Sequence, residues 1–238
     1  MMGVLYRVLL RTVISRARLL GLGLMALVPV LLALGLRYGN PTDPARAAYS
    51  DLVEGYCLGL LAPVVSLVLA SAALGDMAED GTLVHLWLKP VARWAITAAG
   101  LLASLTVAVP LVVVPTVVAA AIAGAGAVPN LPAGAAAATT LAVVAYAALF
   151  LGLGLRVRRA LVWGLAYVLI WEGAVAHAAR GAARISIQVQ VRSVLAAVCS
   201  HVPPRNAVAT ATGVIAPVAV VAVALALTTW WLARVDVA

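Results

Sequence analysis

The chain has 238 residues, 65% of them hydrophobic and only 10% charged, with a formal net charge of +8. A soluble domain carries roughly 25% charged residues, and a disordered chain combines low hydrophobicity with high charge; both are excluded, which leaves an integral membrane protein. The positive balance is then that of basic loops between spans, and no nucleic-acid partner is expected.

Residues 2–18 read as an amphipathic interface helix lying on membrane lipid. At about 100° per residue, Arg7, Arg11 and Arg18 share a narrow arc, and Leu5, Leu9 and Val13 lie opposite. A span needs roughly 20 mostly apolar residues. Leu19–Leu36 is the first, and Gly55–Gly75, between Glu54 and Asp76, is the second. Ala95–Leu155 is uncharged over 61 residues. That length suits two spans joined by a turn, and residues 124–132 supply one with two Gly, two Pro and an Asn.

Ala160–Ala179 is the fifth span and holds a single charge, Glu172. Residues 180–205 are apolar but dotted with arginine. Apolar and polar residues alternate over 185–192 with a strand-like period. An isolated strand at a membrane leaves its backbone groups unpaired, so this segment is expected to form short outer connecting helices, ended by Pro203 and Pro204. Asn206–Ala233 holds the sixth span. The predicted fold is an all-α integral membrane domain over residues 1–238, with six transmembrane helices.

The basic residues set the orientation. With the N-terminus inside, Arg7, Arg11, Arg16, Arg18, Lys89, Arg93, Arg156, Arg158, Arg159 and Arg234 are inner; Arg37, Arg46, Arg180, Arg184, Arg192 and Arg205 are outer. Inner segments richer in Lys and Arg place both termini in the cytoplasm.

The inner segment between spans two and three, residues 76–94, carries the most specific pattern. Glu79, Gly81, Thr82, Leu83, Leu86, Pro90, Val91 and Arg93 stand in the order and spacing found after the second span in membrane subunits of ABC-2 type transporters, which the chain resembles. Gly100 also fits that pattern, but Leu101 stands where the family often has lysine. The resemblance implies a bacterial plasma-membrane permease for efflux, of the drug-exporting kind among other cargoes. Two copies, or one copy and a homologous permease, would form the path. Two ABC ATPase subunits would bind ATP and Mg as separate chains.

Physical chemistry gives the segment a matching shape. Glu79 and Asp80 place negative charge at a helix start, Thr82 is able to cap it, and Leu83, Leu86 and Trp87 share one face. Pro90 ends the helix and Arg93 anchors the chain at the interface. Such an element is expected to dock the ATPase. This chain is not expected to be an enzyme: its only lysine, Lys89, stands between Leu88 and Pro90, outside any phosphate-binding loop pattern.

Two readings of Glu172 are open. An ionisable residue inside a span is by default a candidate for the translocation path, and the alternative function is a stand-alone transporter or channel using it as an ion or proton site. The other reading is a structural partner for a neighbouring group. Cys57 and Cys199 both fall outside in this topology. Cys199, His201 and His177 make a thin ligand set, so no metal is assigned. Gly55 and Gly59 form a small-residue pair of the kind that lets helices approach.

Overall fold

Helices begin and end where the sequence interrupts its apolar runs. The computed structural model describes residues 2–39, 43–44, 47–79, 92–125, 128–175, 186–199 and 210–234, with no strand among them. In chain order the helices are α1 (Met2–Val13), α2 (Arg16–Tyr38), α3 (Ala47–Leu61), α4 (Ala62–Glu79), α5 (Arg93–Ala123), α6 (Leu131–Arg156), α7 (Ala160–Ala166), α8 (Tyr167–Val175), α9 (Ile187–Val198) and α10 (Thr210–Arg234). Helices α3 and α8 are wound as π-helices.

The N-terminal helix is shorter than expected. Ser15 adopts an extended conformation, φ −113° and ψ 137°, and separates α1 from α2. Arg18 therefore stands on α2 and not on the amphipathic helix with Arg7 and Arg11. The apolar face of α1 is used differently as well. Leu5, Leu9 and Val13 are buried with the main core, where α1 packs on α5 and α4. The Tyr6 hydroxyl lies 2.9 Å from Thr106 Oγ1 on α5. The face expected to meet lipid thus meets protein.

The long uncharged stretch divides at the expected turn. Gly124 closes α5, and Asn130 takes the left-handed conformation, φ 59°, just before α6. Asparagine adopts that conformation more readily than most residues. Pro132 follows in the first turn, where its missing N–H costs nothing. The passage from α3 to α4 falls next to Pro63, whose ring crowds the carbonyl four residues earlier; a wide π turn relieves that clash.

Among the described residues, five helices are long and apolar enough to cross a membrane: Arg16–Tyr38, Ala47–Met77, Arg93–Ala123, Leu131–Arg156 and Ala211–Arg234. The expected fifth run is described as α7 and α8, up to Val175, and its remainder lies outside the described residues. Ala47–Met77 and Leu131–Arg156 form the interior pair, with 78% and 61% of their apolar windows buried, against 22–28% for the other three. The outer helices turn leucines outward. Leu20, Leu24, Leu27 and Leu31 form one exposed stripe on α2, as a lipid-facing surface requires.

The interior pair makes its closest approach through glycine. A Cβ on Gly154 would stand 2.5 Å from the Ser71 carbonyl oxygen, and one on Gly75 would stand 3.0 Å from the Gly154 carbonyl oxygen. Backbones meet here because neither residue has a side chain, the usual way small residues let membrane helices touch.

Candidate functional site

Arg18 at the start of α2, Asp76 near the end of α4, Arg93 at the start of α5, Arg156 at the end of α6 and Arg234 at the end of α10 gather at one end of the bundle. We call this the basic end. Arg18 Nη2 donates to Asp76 Oδ2 at 2.7 Å and Nη1 donates to the Thr12 carbonyl at 3.3 Å, so one guanidinium ties α1, α2 and α4 together. The Arg234 guanidinium lies 4.1 Å from the Trp230 ring centroid, a cation–π contact at the end of α10. Arg7 and Arg11 are exposed on α1.

Of the expected docking residues, Glu79 is the last residue of α4 and Arg93 the first of α5. Asp80, Gly81, Thr82, Leu83, Leu86, Trp87 and Pro90 lie outside the described residues. The segment they form therefore joins two helices at the basic end.

The second cluster lies deeper inside the bundle and centres on Glu172. This carboxylate is 2% exposed. Its Oε1 accepts from the Ile187 amide at 3.1 Å and from the Tyr167 hydroxyl at 3.2 Å. Its Oε2 accepts from the Gln188 amide at 3.4 Å and from the Ser186 hydroxyl. Ser186 Oγ in turn accepts from the Val189 amide at 3.2 Å, and the Ser186 carbonyl from the Gln190 amide at 3.3 Å. The amides of the first three residues of α9, which have no partner within the helix ladder, are thus each satisfied. A negative charge at this position also meets the positive end of the helix dipole.

Glu172 is therefore a clasp between α8 and the N-terminus of α9. The π winding of α8 makes the Tyr167 contact possible. In an α-helix residues five apart lie about 140° apart around the axis, whereas a π turn brings them near one face. Periodicity in the sequence carries no trace of that shift, and Tyr167 and Ser186 were not anticipated as partners. Phe150 stands edge-on to Tyr167 at 6.1 Å and stacks on Tyr146 at 5.9 Å. The hydroxyls of Tyr146 and Tyr49 are buried without a hydrogen-bond partner among the described residues.

Helix α9 is seated by small residues. A Cβ on Gly134 would stand 2.8 Å from Cys199 Sγ, one on Gly59 2.8 Å from Gln188 Nε2, and one on Gly213 2.9 Å from the Gln190 carbonyl oxygen. Cys57 and Cys199 are both free and buried, and burial pushes the Cys199 thiol up from its ordinary range. His177 and His201 lie outside the described residues. Among the described residues no three His, Cys, Asp or Glu side chains come close enough to hold a metal ion.

An all-helical bundle of this kind, with several apolar helices of spanning length, is a multi-pass membrane protein. Residues 15–176 match the family described as ABC-2 family transporter protein, and the chain belongs to it. No curated protein and no solved structure matches the chain. Membership makes it the membrane component of a transporter.

Proposed function

We propose that the chain is the permease subunit of a bacterial ATP-driven exporter, with six spans and both termini in the cytoplasm. Two copies, or this chain and a homologous permease, form the translocation path. Two separate ATPase subunits, which bind ATP and Mg, dock below it through residues 76–93. The observation that carries this reading is the match to the transporter family over residues 15–176. The position of Glu79 and Arg93 as the helix ends flanking the docking segment, at the end richest in arginine, supports it.

In this reading ATP-driven closure of the ATPase pair pushes the docking segment. Helices α4 and α5, which begin or end there, transmit the movement to the path. Glu172 acts by holding the start of α9 in place beside that path. Cargo is lipophilic or amphipathic, in keeping with an uncharged helix lining.

The test is co-purification of the full chain with its co-expressed ATPase. Glu79→Ala together with Leu86→Asp is expected to remove at least about nine-tenths of the co-eluting ATPase while the permease still runs as a monodisperse peak. An undiminished ATPase peak with the double variant overturns the docking assignment. Absence of any ATPase with the wild type overturns the exporter reading.

A further inference from the structure

Pro29 stands inside α2 and is buried. Proline has no N–H, so the Met25 carbonyl, four residues earlier, loses its partner within the helix, and the proline ring crowds that oxygen. Inside a membrane a freed carbonyl must find a donor on a neighbouring element. Here the donor is the Tyr56 hydroxyl of α3, 2.9 Å from the Met25 oxygen.

The packing of α2 divides at the same place. Leu22 and Ala26, before Pro29, are buried in the main core, and Met25 and Tyr56 pack against it. Beyond Pro29, Ala33 is buried in a separate small cluster with Leu52 of α3 and Ala119 of α5, and Val30 and Leu36 pack on that cluster. Two of its three buried members are alanines, so little apolar area holds this half of α2 in place. A helix with one backbone bond missing, its two halves seated in different clusters and one half lightly held, is built to bend at the gap.

We propose that α2 hinges at Pro29 and that the Tyr56 hydroxyl is the latch of the hinge. With the bond to Met25 made, residues 30–38 lie against α3 and α5. With it broken, they swing away from Leu52 and Ala119 and open an apolar cleft in the part of the bundle remote from Arg18. The device lies within this chain alone and does not depend on a docked ATPase.

The test uses the full-length chain in non-ionic detergent and a double-mutant cycle of Tyr56→Phe and Pro29→Ala. Alanine restores an N–H at position 29, so the Met25 carbonyl regains its helix partner and the tyrosine hydroxyl becomes redundant. Tyr56→Phe alone is expected to lower Tm by about 4 °C, the order of one lost hydrogen bond in a chain of this size. In the Pro29→Ala background it is expected to lower Tm by about 1 °C or less. Cys57, buried on α3 beside Thr116 of α5, reports opening through its alkylation by N-ethylmaleimide, read at that residue by peptide mass spectrometry. Tyr56→Phe is expected to raise the alkylation rate about fivefold with Pro29 present, the shift one hydrogen bond of ordinary net strength gives, and to leave it unchanged with alanine there. An equal loss of Tm in the two backgrounds overturns the proposal, because the hydroxyl then serves something other than the gap left by proline. A fall in Tm with no rise in Cys57 alkylation also overturns it and leaves Tyr56 as a fixed brace.

Discussion

Asp76 lies at the basic end and Glu172 inside the bundle, and the two are satisfied by different chemistry. Asp76 is 39% exposed on its side chain and pairs with one guanidinium, itself 31% exposed, at 2.7 Å. Glu172 is 2% exposed and accepts from two backbone amides and two hydroxyls. Near water, a mobile charge is an adequate partner, because solvation supplies most of what the carboxylate needs. Inside the bundle, solvation is lost and fixed dipoles must replace it. The first arrangement joins helices loosely at a surface. The second determines where a helix starts.

The comparison is tested most severely at Glu172. Glu172→Ala leaves the Ile187 and Gln188 amides at the start of α9 without their acceptor. At roughly 1–3 kcal/mol for each buried group left unsatisfied, a loss of about 3 kcal/mol is expected in unfolding in mixed micelles. Glu172→Gln keeps one acceptor oxygen and is expected to lose about half as much. An alanine variant as stable as the wild type would show that α9 is held by packing alone.

How far such a clasp was legible is instructive. The apolar runs, the Gly- and Pro-rich turn at 124–132 and the lone buried charge at 172 are local signals, and each lies where helix ends or a buried cluster are found. The partners of Glu172 are not local. Tyr167 reaches it only because α8 is π-wound, and a hydrogen-bond ladder shifted by one residue leaves no mark in hydropathy. Ser186 is 14 residues away across a segment whose alternating pattern first suggests a strand. The Arg18–Asp76 pair spans 58 residues; both charges were visible, but nothing in their spacing joins them. The face of α1 misled for a related reason. A stripe of Leu5, Leu9 and Val13 is equally suited to lipid and to a protein groove, and amphipathicity does not distinguish them.

Glycine gives the next contrast. At the basic end a Cβ on Gly154 meets the carbonyl oxygen, Cα and carbonyl carbon of Ser71, at 2.5–3.0 Å. Backbone atoms cannot turn aside, so Gly154→Ala must push α4 and α6 apart. About 2 kcal/mol of destabilisation is expected, within the range for overpacked cores. At the other end a Cβ on Gly134 meets chiefly Cys199 Sγ and Leu195 Cδ1, which are side-chain atoms able to shift. Gly134→Ala is expected to cost about 1 kcal/mol or less. Melting curves of the two alanine variants, measured side by side, would break the distinction if Gly134→Ala proved the more damaging.

The smallest effect is expected from the ion pair itself. Both partners are about one-third exposed, so solvent screens their attraction, and exposed pairs contribute roughly 0.2–1 kcal/mol. A double-mutant cycle of Arg18→Ala and Asp76→Ala isolates that term from what each side chain does alone. Arg18 also donates to the Thr12 carbonyl, so its single variant is expected to cost more than that of Asp76, with a coupling energy near 0.5 kcal/mol. Raising the salt concentration from about 0.05 M to 0.5 M is expected to shrink the coupling, since the Debye length falls well below 10 Å. The effect of Glu172→Ala is expected to stay the same, because Glu172 is buried beyond the reach of mobile ions. A coupling at Arg18–Asp76 that exceeds 2 kcal/mol and ignores salt would mean that this pair, too, is shut away from water, and the contrast between the two carboxylates would fail.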